Sequence, residues 1–313
     1  MAKRCGRTAA RAPRERNKAL RDLWLAIVNP RSGGNRKPAW YAALHASLRQ
    51  RHVVTVLTKR AGHAAELAEG AQGFGGIVAV GGDGTLFEIL KGIDRANQRI
   101  ALIPAGRGNS LARDLGLMRR RAFLDVIHWN GARSIDLLEV NVTTADCVET
   151  THLSASTVAL GYPAAVTVRA RKLARLGKLS YAAAGAAVVP ACFGARVLIG
   201  DQAPRNVQLS GFIANNTRHV ANFLAFRRAS CSDGRFEVME MNAGLSKQLL
   251  HNLSALSGTG MYEPYAPVQA TSAHVQLETP QSLMMDGEIF PNVVAVGIRI
   301  LPSAVRCNEL ASQ

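Results

Sequence analysis

The chain is short of acid. Its 313 residues hold 22 Asp and Glu against 38 Lys and Arg, a formal net charge of +16. A field of that sign selects acidic partners: a nucleotide, a nucleic acid or an anionic membrane surface. Aromatic residues are also few, at 5%. No zinc-finger spacing, RRM signature or aromatic-rich basic patch accompanies the charge, so a nucleic-acid partner is not expected. The five cysteines (Cys5, Cys147, Cys192, Cys231, Cys307) include no Cys-x-x-Cys pair. That argues against a zinc site or a disulfide framework and suits a reducing cytoplasm. The eight histidines show no His-x-x-x-His spacing, which removes the commonest helical zinc pattern. No stretch supplies the ~20 uninterrupted apolar residues of a membrane span. The nearest, Tyr181 to Ile199, is broken by Pro190 and Arg196.

What is present centres on Ile77-Val-Ala-Val-Gly-Gly-Asp-Gly-Thr-Leu-Phe-Glu-Ile-Leu90. Ile77 to Val80 reads as a buried parallel strand. Gly81 to Gly84 breaks it, and from Thr85 the pattern is helical, with Leu86, Ile89 and Leu90 on one face. Strand, glycine turn and helix start form an anion-binding geometry, because the first N–H groups of a helix have no internal partner. Glycine admits a phosphate close to the backbone, and Gly82 is a candidate for positive φ. Thr85 suits an N-cap or a bond to phosphate. The competing reading is a plain turn. The stretch is neither Gly-x-Gly-x-x-Gly nor a Walker A loop.

Leu23 to Val28 reads as a first strand, running into Asn29-Pro-Arg-Ser-Gly-Gly34. Pro38 opens a helix, Val53 to Leu57 is a strand ending at Thr58, and Gly62 to Gly70 is a short helix. Ile100 to Ile103 is the next strand, followed by Pro104-Ala-Gly-Arg-Gly-Asn109 and a helix from Ser110 to Leu115. The alternation predicts a parallel sheet with helices on both faces. Three strands ending in small polar loops can converge on one polyphosphate beyond their carboxyl ends.

Together, Asn29 to Gly33, Gly81-Gly-Asp-Gly-Thr85 and Pro104-Ala-Gly-Arg-Gly-Asn-Ser-Leu-Ala112 resemble the three signatures of the diacylglycerol kinase catalytic family. That family includes bacterial lipid kinases and sphingosine kinases. Gly-Gly-Asp-Gly alone is shared with NAD kinases and phosphofructokinases. The resemblance runs from about Leu23 to the C-terminus. It implies a phosphofructokinase- or NAD kinase-like α/β domain followed by a β-rich, sandwich-like domain. It implies an ATP-dependent lipid kinase whose nucleotide contacts are Asn29, Pro30, Arg31, Ser32, Gly33, Thr58, Gly82, Asp83, Gly84, Thr85, Leu86, Phe87 and Glu88. Arg107 departs from the Thr or Ser usual after Pro-Ala-Gly. Its forked donors can grip a phosphate, or its bulk can obstruct the nucleotide. Ser110 stands where many bacterial members have Asp.

On this basis residues 1–22 form a basic tail, 23–134 the nucleotide-binding α/β domain and 135–313 the β-rich domain for acceptor and catalysis, the last strand returning to the first domain. The tail carries eight basic residues against Glu15 and Asp22. It lacks the apolar core of a signal peptide and reads as a solvated arm, with membrane contact the next reading. A helix is expected from Met118 to Trp129 and another from Leu245 to Leu256. Strands are expected at Ile135–Val140, Val197–Ile199, Val207–Ala214, Phe236–Met241, Val275–Leu277 and Val293–Leu301. A basic helix carries Arg169, Arg171, Lys172, Arg175 and Lys178; it is either a solvated face or a surface for anionic lipid. These features imply a cytoplasmic protein bound peripherally to membranes.

Two Asp-Gly pairs punctuate the second half, Asp233-Gly234 and Asp286-Gly287. Each reads first as a type I′ hairpin turn. The resemblance adds a role to both. Ser232-Asp-Gly-Arg-Phe-Glu-Val238 looks like the family's structural Mg²⁺ loop, with ligands Asp233 and the carbonyls of Ser230 and Arg235. Asp286-Gly-Glu288 looks like its catalytic loop, with Asp286 as general base and Glu288 beside it. Asp136 and Asp83 are the other catalytic candidates. A kinase of a soluble acceptor such as NAD, and a non-enzymatic nucleotide- or nucleic-acid-binding protein, remain the alternatives.

Overall fold

A computed structural model describes residues 23–33, 38–51, 53–118, 132–173, 175, 180–220, 223–224, 226–241 and 267–308. The basic tail and the helices expected at 118–129 and 245–256 lie wholly or almost wholly outside these residues.

The first half alternates as its sequence predicts: β1 (Trp24–Val28), α1 (Pro38–Gln50), β2 (Val53–Leu57), α2 (His63–Glu69), β3 (Gly76–Gly81), α3 (Asp83–Gly92), β4 (Arg99–Pro104) and α4 (Ser110–Asp114). The four strands are parallel in the order β2-β1-β3-β4. Successive side chains of β1 bury into opposite layers. Trp24, Ala26 and Val28 meet Leu44 and Leu48 of α1, while Leu25 and Ile27 meet α2 and α3. Strands covered on both faces must be apolar at every position, and β1 and β3 are buried throughout. Helix α3 divides its apolar residues. Leu86, Ile89 and Leu90 pack on the parallel sheet, and Phe87 packs into the core of the second half.

The second half is antiparallel. It contains β5 (Arg133–Thr144), β6 (Glu149–Ser154), β7 (Thr157–Gly161), α5 (Tyr162–Lys172), α6 (Ser180–Ala187), β8 (Phe193–Ile199), β9 (Arg205–Leu209), β10 (Gly211–Asn215), β11 (His219–Val220), β12 (Phe223–Leu224), β13 (Phe236–Met241), β14 (Val268–Ala270), β15 (Ser272–Met285) and β16 (Glu288–Cys307). The long strand β15 forks the sheet. Ala273 to Leu277 pair with β8, and Leu283 to Met285 pair with β7. Both branches contribute to one apolar core. The run Val207–Ala214 is two strands, because Ser210 interrupts it and the pieces pair with different neighbours. The end of β16 pairs in parallel with β4 through Arg306 and Cys307, so the last strand returns to the first sheet. Among the described residues this makes one hydrogen-bonded sheet of 14 strands, parallel at one end and antiparallel at the other, with β5, β6, β8 and β9 branching off the main path. The basic helix ends at Lys172, before Arg175 and Lys178. Among the described residues no helix is long and apolar enough to cross a membrane.

Candidate active site

The first three glycine- and asparagine-rich loops meet at the carboxyl ends of β1, β3 and β4. Asn29 donates from its backbone N–H to the Val80 carbonyl (2.9 Å) and from Nδ2 to Thr85 Oγ1 (3.0 Å). Its Oδ1 accepts the Arg31 N–H at 3.0 Å, and Gly33 completes the turn at φ 77°. Pro30 and Arg31 are exposed, and Ser32 and Thr58 are half-buried beside the same edge.

Gly82 caps α3 with φ −107°, so the positive φ considered for it is not present. Its glycine has another cause. A Cβ there would lie 2.9 Å from the Gly106 Cα, and a Cβ on Gly106 would lie 2.4 Å from the Gly82 Cα. The second and third loops touch backbone to backbone, which only glycine permits. Thr85 is not the N-cap. It is buried in the first turn, with its hydroxyl accepting from Asn29.

The third loop is self-braced. Asn109 takes the left-handed conformation at φ 53°, which asparagine tolerates. Its Oδ1 accepts the Gly106 N–H at 2.9 Å, and its Nδ2 donates to the Gly106 carbonyl at 2.8 Å. Asp83 locks this loop onto the second. One carboxylate oxygen accepts the Asn109 N–H and the other the Ser110 N–H, both at 2.8 Å.

Burial, with the nearby Asp286 charge, pushes the Asp83 carboxyl up from 3.8 to about 6, against the pull of those N–H groups. A carboxyl that holds its proton more tightly when folded adds stability at low pH and loses that contribution as pH rises through about 6. Wild type should therefore gain about 1–1.5 kcal/mol over Asp83→Asn between pH 7 and pH 5. Denaturant melts of both proteins across that range check this, and a constant difference would refute it.

The other predicted contacts divide. Leu86 and Phe87 have buried side chains that serve the two cores. Glu88 braces the neighbouring loop, accepting the Gly62 N–H at 2.9 Å and the Ala64 N–H at 3.1 Å. Arg107 is exposed at the tip of the third loop.

From the second half comes the turn joining β15 to β16. Asp286 and Gly287 have φ 47° and 89°, the two positive values a type I′ hairpin needs. The Asp286 side chain does more than turn the chain. It is 5% exposed and lies in a nest at the β6–β7 corner. Ser154 Oγ donates to it at 3.0 Å, Ala155 N at 2.8 Å, Ser156 N at 3.0 Å and Thr157 N at 2.9 Å. Burial raises its pKa, and those donors oppose the rise. Glu288 is 44% exposed and ion-paired to Arg171 at 3.1 Å. A Cβ on Gly84 would fall 2.9 Å from Glu288 Oε1, so this acid lies against the start of α3. Asp83, Asp286, Glu288 and Gly84 therefore come together.

Asp136 and the Asp233 loop form a second cluster. Asp136 is buried, and its carboxylate accepts the Gly234 N–H and the Ser303 N–H, both at 2.7 Å. It ties the Asp233 loop to β5 and β16. Only Gly234 has positive φ there, so 233–234 is not a type I′ turn. Asp233 is exposed, and one of its oxygens accepts the Arg235 N–H at 3.1 Å. Among the described residues no three His, Cys, Asp or Glu side chains cluster for a metal. A cation here would rely on the one carboxylate and on carbonyls such as those of Ser230 and Arg235, a hard-oxygen set that suits Mg²⁺.

The sequence reading missed Ser154 to Thr157 and Asn109, and it placed Arg171 only on a basic face. Short runs of small polar residues, Ser154-Ala-Ser-Thr157 and Asn215-Asn-Thr217, were the available signal for the buried network. Asn216 Nδ2 bridges the carbonyls of Asp136 and Ala155, joining the two acidic clusters.

A parallel α/β sheet with glycine turns at its carboxyl edge, continued by an antiparallel unit that returns carboxylates to those turns, defines the class: a two-part α/β fold, parallel in its first half and antiparallel in its second. Residues 23–140 match the diacylglycerol kinase catalytic domain. A Bacillus subtilis protein named diacylglycerol kinase is 27% identical over 224 residues, covering 68% of this chain and 70% of that protein. A relative from Streptococcus pneumoniae serotype 4 is 28% identical over 124 residues, 37% of this chain and 42% of its own length. The chain thus spans less than half of that relative. The crystal structure of a diacylglycerol kinase from Bacillus anthracis shares the fold, with TM-score 0.71, 20% identity and coverage of 91% of this chain and 96% of that one.

Proposed function

We propose that this protein is a lipid kinase that transfers the γ-phosphoryl group of ATP to the hydroxyl of diacylglycerol or a related lipid alcohol. One observation carries the reading most: the turn bearing Asp286 and Glu288 closes onto the glycine turn at Gly84, bringing acids from the second half to a phosphate-binding edge of the first. In this reading, residues 23–134 hold nucleotide, and residues 135–313 present the acceptor and the base. Backbone groups of the turns at 29–33, 82–85 and 104–109 cradle the phosphates, and Arg107 adds charge from the loop tip.

The lipid hydroxyl attacks the γ-phosphorus, its proton passes to the Asp286 carboxylate, and ADP departs. Positioning and charge neutralisation do most of the work in such a transfer. Asp83 orders the second and third loops. Asp233, with the carbonyls of Ser230 and Arg235, would hold Mg²⁺, and Asp136 anchors that loop. Mg²⁺ held there would neutralise the Asp233 charge and brace the loop.

The test is transfer of labelled γ-phosphate from ATP to a panel of diacylglycerol, sphingoid base, ceramide and NAD. Labelled lipid is the expected product. Labelled NAD would favour the soluble-acceptor kinase, and no transfer to any acceptor would overturn the kinase reading.

Membrane attachment follows from the same reading. Arg169 and Lys172 at the end of α5, and Arg175 just beyond it, are exposed. The protein is expected to sediment with anionic vesicles more than with neutral ones, and less so as salt rises, since exposed charges are screened over ~8 Å at physiological ionic strength. Equal binding to both vesicle types would refute this.

A further inference from the structure

Arg169, Arg171 and Lys172 of α5, and Arg175 just beyond it, are all exposed, but they differ in their partners. Among the described residues no ion pair holds Arg169, Lys172 or Arg175. Arg171 is engaged at the turn that carries the acids. Its Nη2 lies 3.1 Å from Glu288 Oε2, and the same nitrogen donates to the Gly287 carbonyl. Gly287 and Glu288 are the two residues that follow Asp286 in the β15–β16 turn. The other Glu288 oxygen faces Gly84 at the start of α3. One guanidinium therefore ties a helix of the second half to the acid-bearing turn, where that turn meets the phosphate-binding edge.

The charge balance at this place needs a cation. Asp83, Asp286 and Glu288 all face a region that has to admit a polyphosphate, and like charges so close would repel it. Among the described residues Arg171 is the cation in direct contact with any of the three. On α6 the Tyr181 phenol feels Asp83, Arg107 and Arg171 together, which places that helix beside the same group.

We infer that Arg171 is a positioning residue of the kinase reaction, holding the Glu288 carboxylate and the Gly287 carbonyl so that the 286–288 turn stays seated on the glycine turn, and offsetting the charge of Glu288 against incoming phosphate. This rests on the kinase reading above. Arg171 acts through Glu288 and the turn. A Lys in its place keeps the charge but not the planar guanidinium, so it would restore only part of the effect.

The experiment measures kcat and KM for ATP with a diacylglycerol acceptor in mixed micelles. The proteins are wild type, Arg171→Gln, Arg171→Lys, Glu288→Gln and the Arg171→Gln/Glu288→Gln double variant. Thermal melts and ATP calorimetry establish that each is folded. Arg171→Gln is expected to lower kcat by about 10- to 10²-fold, the scale of a misplaced reacting group, and to raise KM for ATP as well, a rise that Arg171→Lys, which keeps the charge, should not show. Arg171→Lys should recover part of the loss, and the double variant should be no slower than Glu288→Gln alone. Wild-type kcat in Arg171→Gln would overturn the inference, as would losses that multiply in the double variant. Should Arg171→Gln fail to fold, wild-type kcat in a folded Arg171→Lys would overturn it equally. A wild-type protein that phosphorylates no acceptor fails the kinase reading itself, whereas an active wild type with an unaffected Arg171→Gln fails only this inference.

Discussion

Asn in place of Asp286 is expected to lower kcat by about 10²–10⁴-fold, the range for loss of a general base, while ATP affinity stays close to that of wild type. A lipid hydroxyl is a weak nucleophile and must shed its proton as it attacks. The Asp286 carboxyl is buried and held above its ordinary pKa, which makes it a better proton acceptor than an exposed aspartate. Its four hydrogen bonds are shared unevenly: one carboxylate oxygen accepts from Ser154 Oγ, Ser156 N and Thr157 N, and the other only from Ala155 N, which leaves that oxygen a site for a proton.

The same geometry means that Asn is not a silent replacement. Its amide N–H₂ would face backbone donors, an unmade bond that costs about 1–3 kcal/mol of stability. Thermal melts must therefore accompany the kinetics. Glu288→Gln is the comparison, since Glu288 is the more open of the two acids. If folded Asp286→Asn retains near-normal turnover, the turn is only a hairpin and the base lies elsewhere. A collapse in Glu288→Gln alone would move the role to Glu288.

Gly82→Val is expected to weaken ATP binding by about 10- to 10²-fold, the equivalent of the ~1–3 kcal/mol that overpacking costs. The backbone of Gly82 is open to any residue, so the effect does not come from φ. It comes from the 2.9 Å approach of its Cβ position to the Gly106 Cα, with Ser32 Oγ 3.6 Å away on the other side. Valine adds two further methyl groups at that contact. The second and third loops would separate, straining the bonds from Ala105 N and Gly106 N to the Gly81 carbonyl. Calorimetry with ATP on protein shown by circular dichroism to be folded reads the loss. Gly82→Ala should fall between valine and wild type. Unchanged affinity in Gly82→Val would remove this edge as the nucleotide site.

The alternation of strands and helices before Asp114 was legible in the sequence because its causes are local. Strands buried on both faces are continuously apolar, Pro38 opens a helix, Gly62 and Gly70 flank another, and small residues end three strands. Those turns carry their conformations in residue types that act within a few positions. The hairpin at Asp286-Gly287 was legible for the same reason.

What the turns do to one another was not legible. That Gly82 faces Gly106, and that Asp83 binds the N–H groups of Asn109 and Ser110, depends on β3 and β4 lying side by side. The division of Val207–Ala214 was hidden because apolar content does not reveal which neighbour a strand will choose. The fate of the acids lay furthest from sequence reach. Asp286 finds its donors about 130 residues earlier in the chain, Asp136 finds Gly234 and Ser303, and Arg171 finds Glu288. An acidic residue type states that a charge exists. Only the long-range pairing of β7 with β15, and of β15 with β16, decides whether that charge braces a loop, lies in a nest or faces the glycine turns.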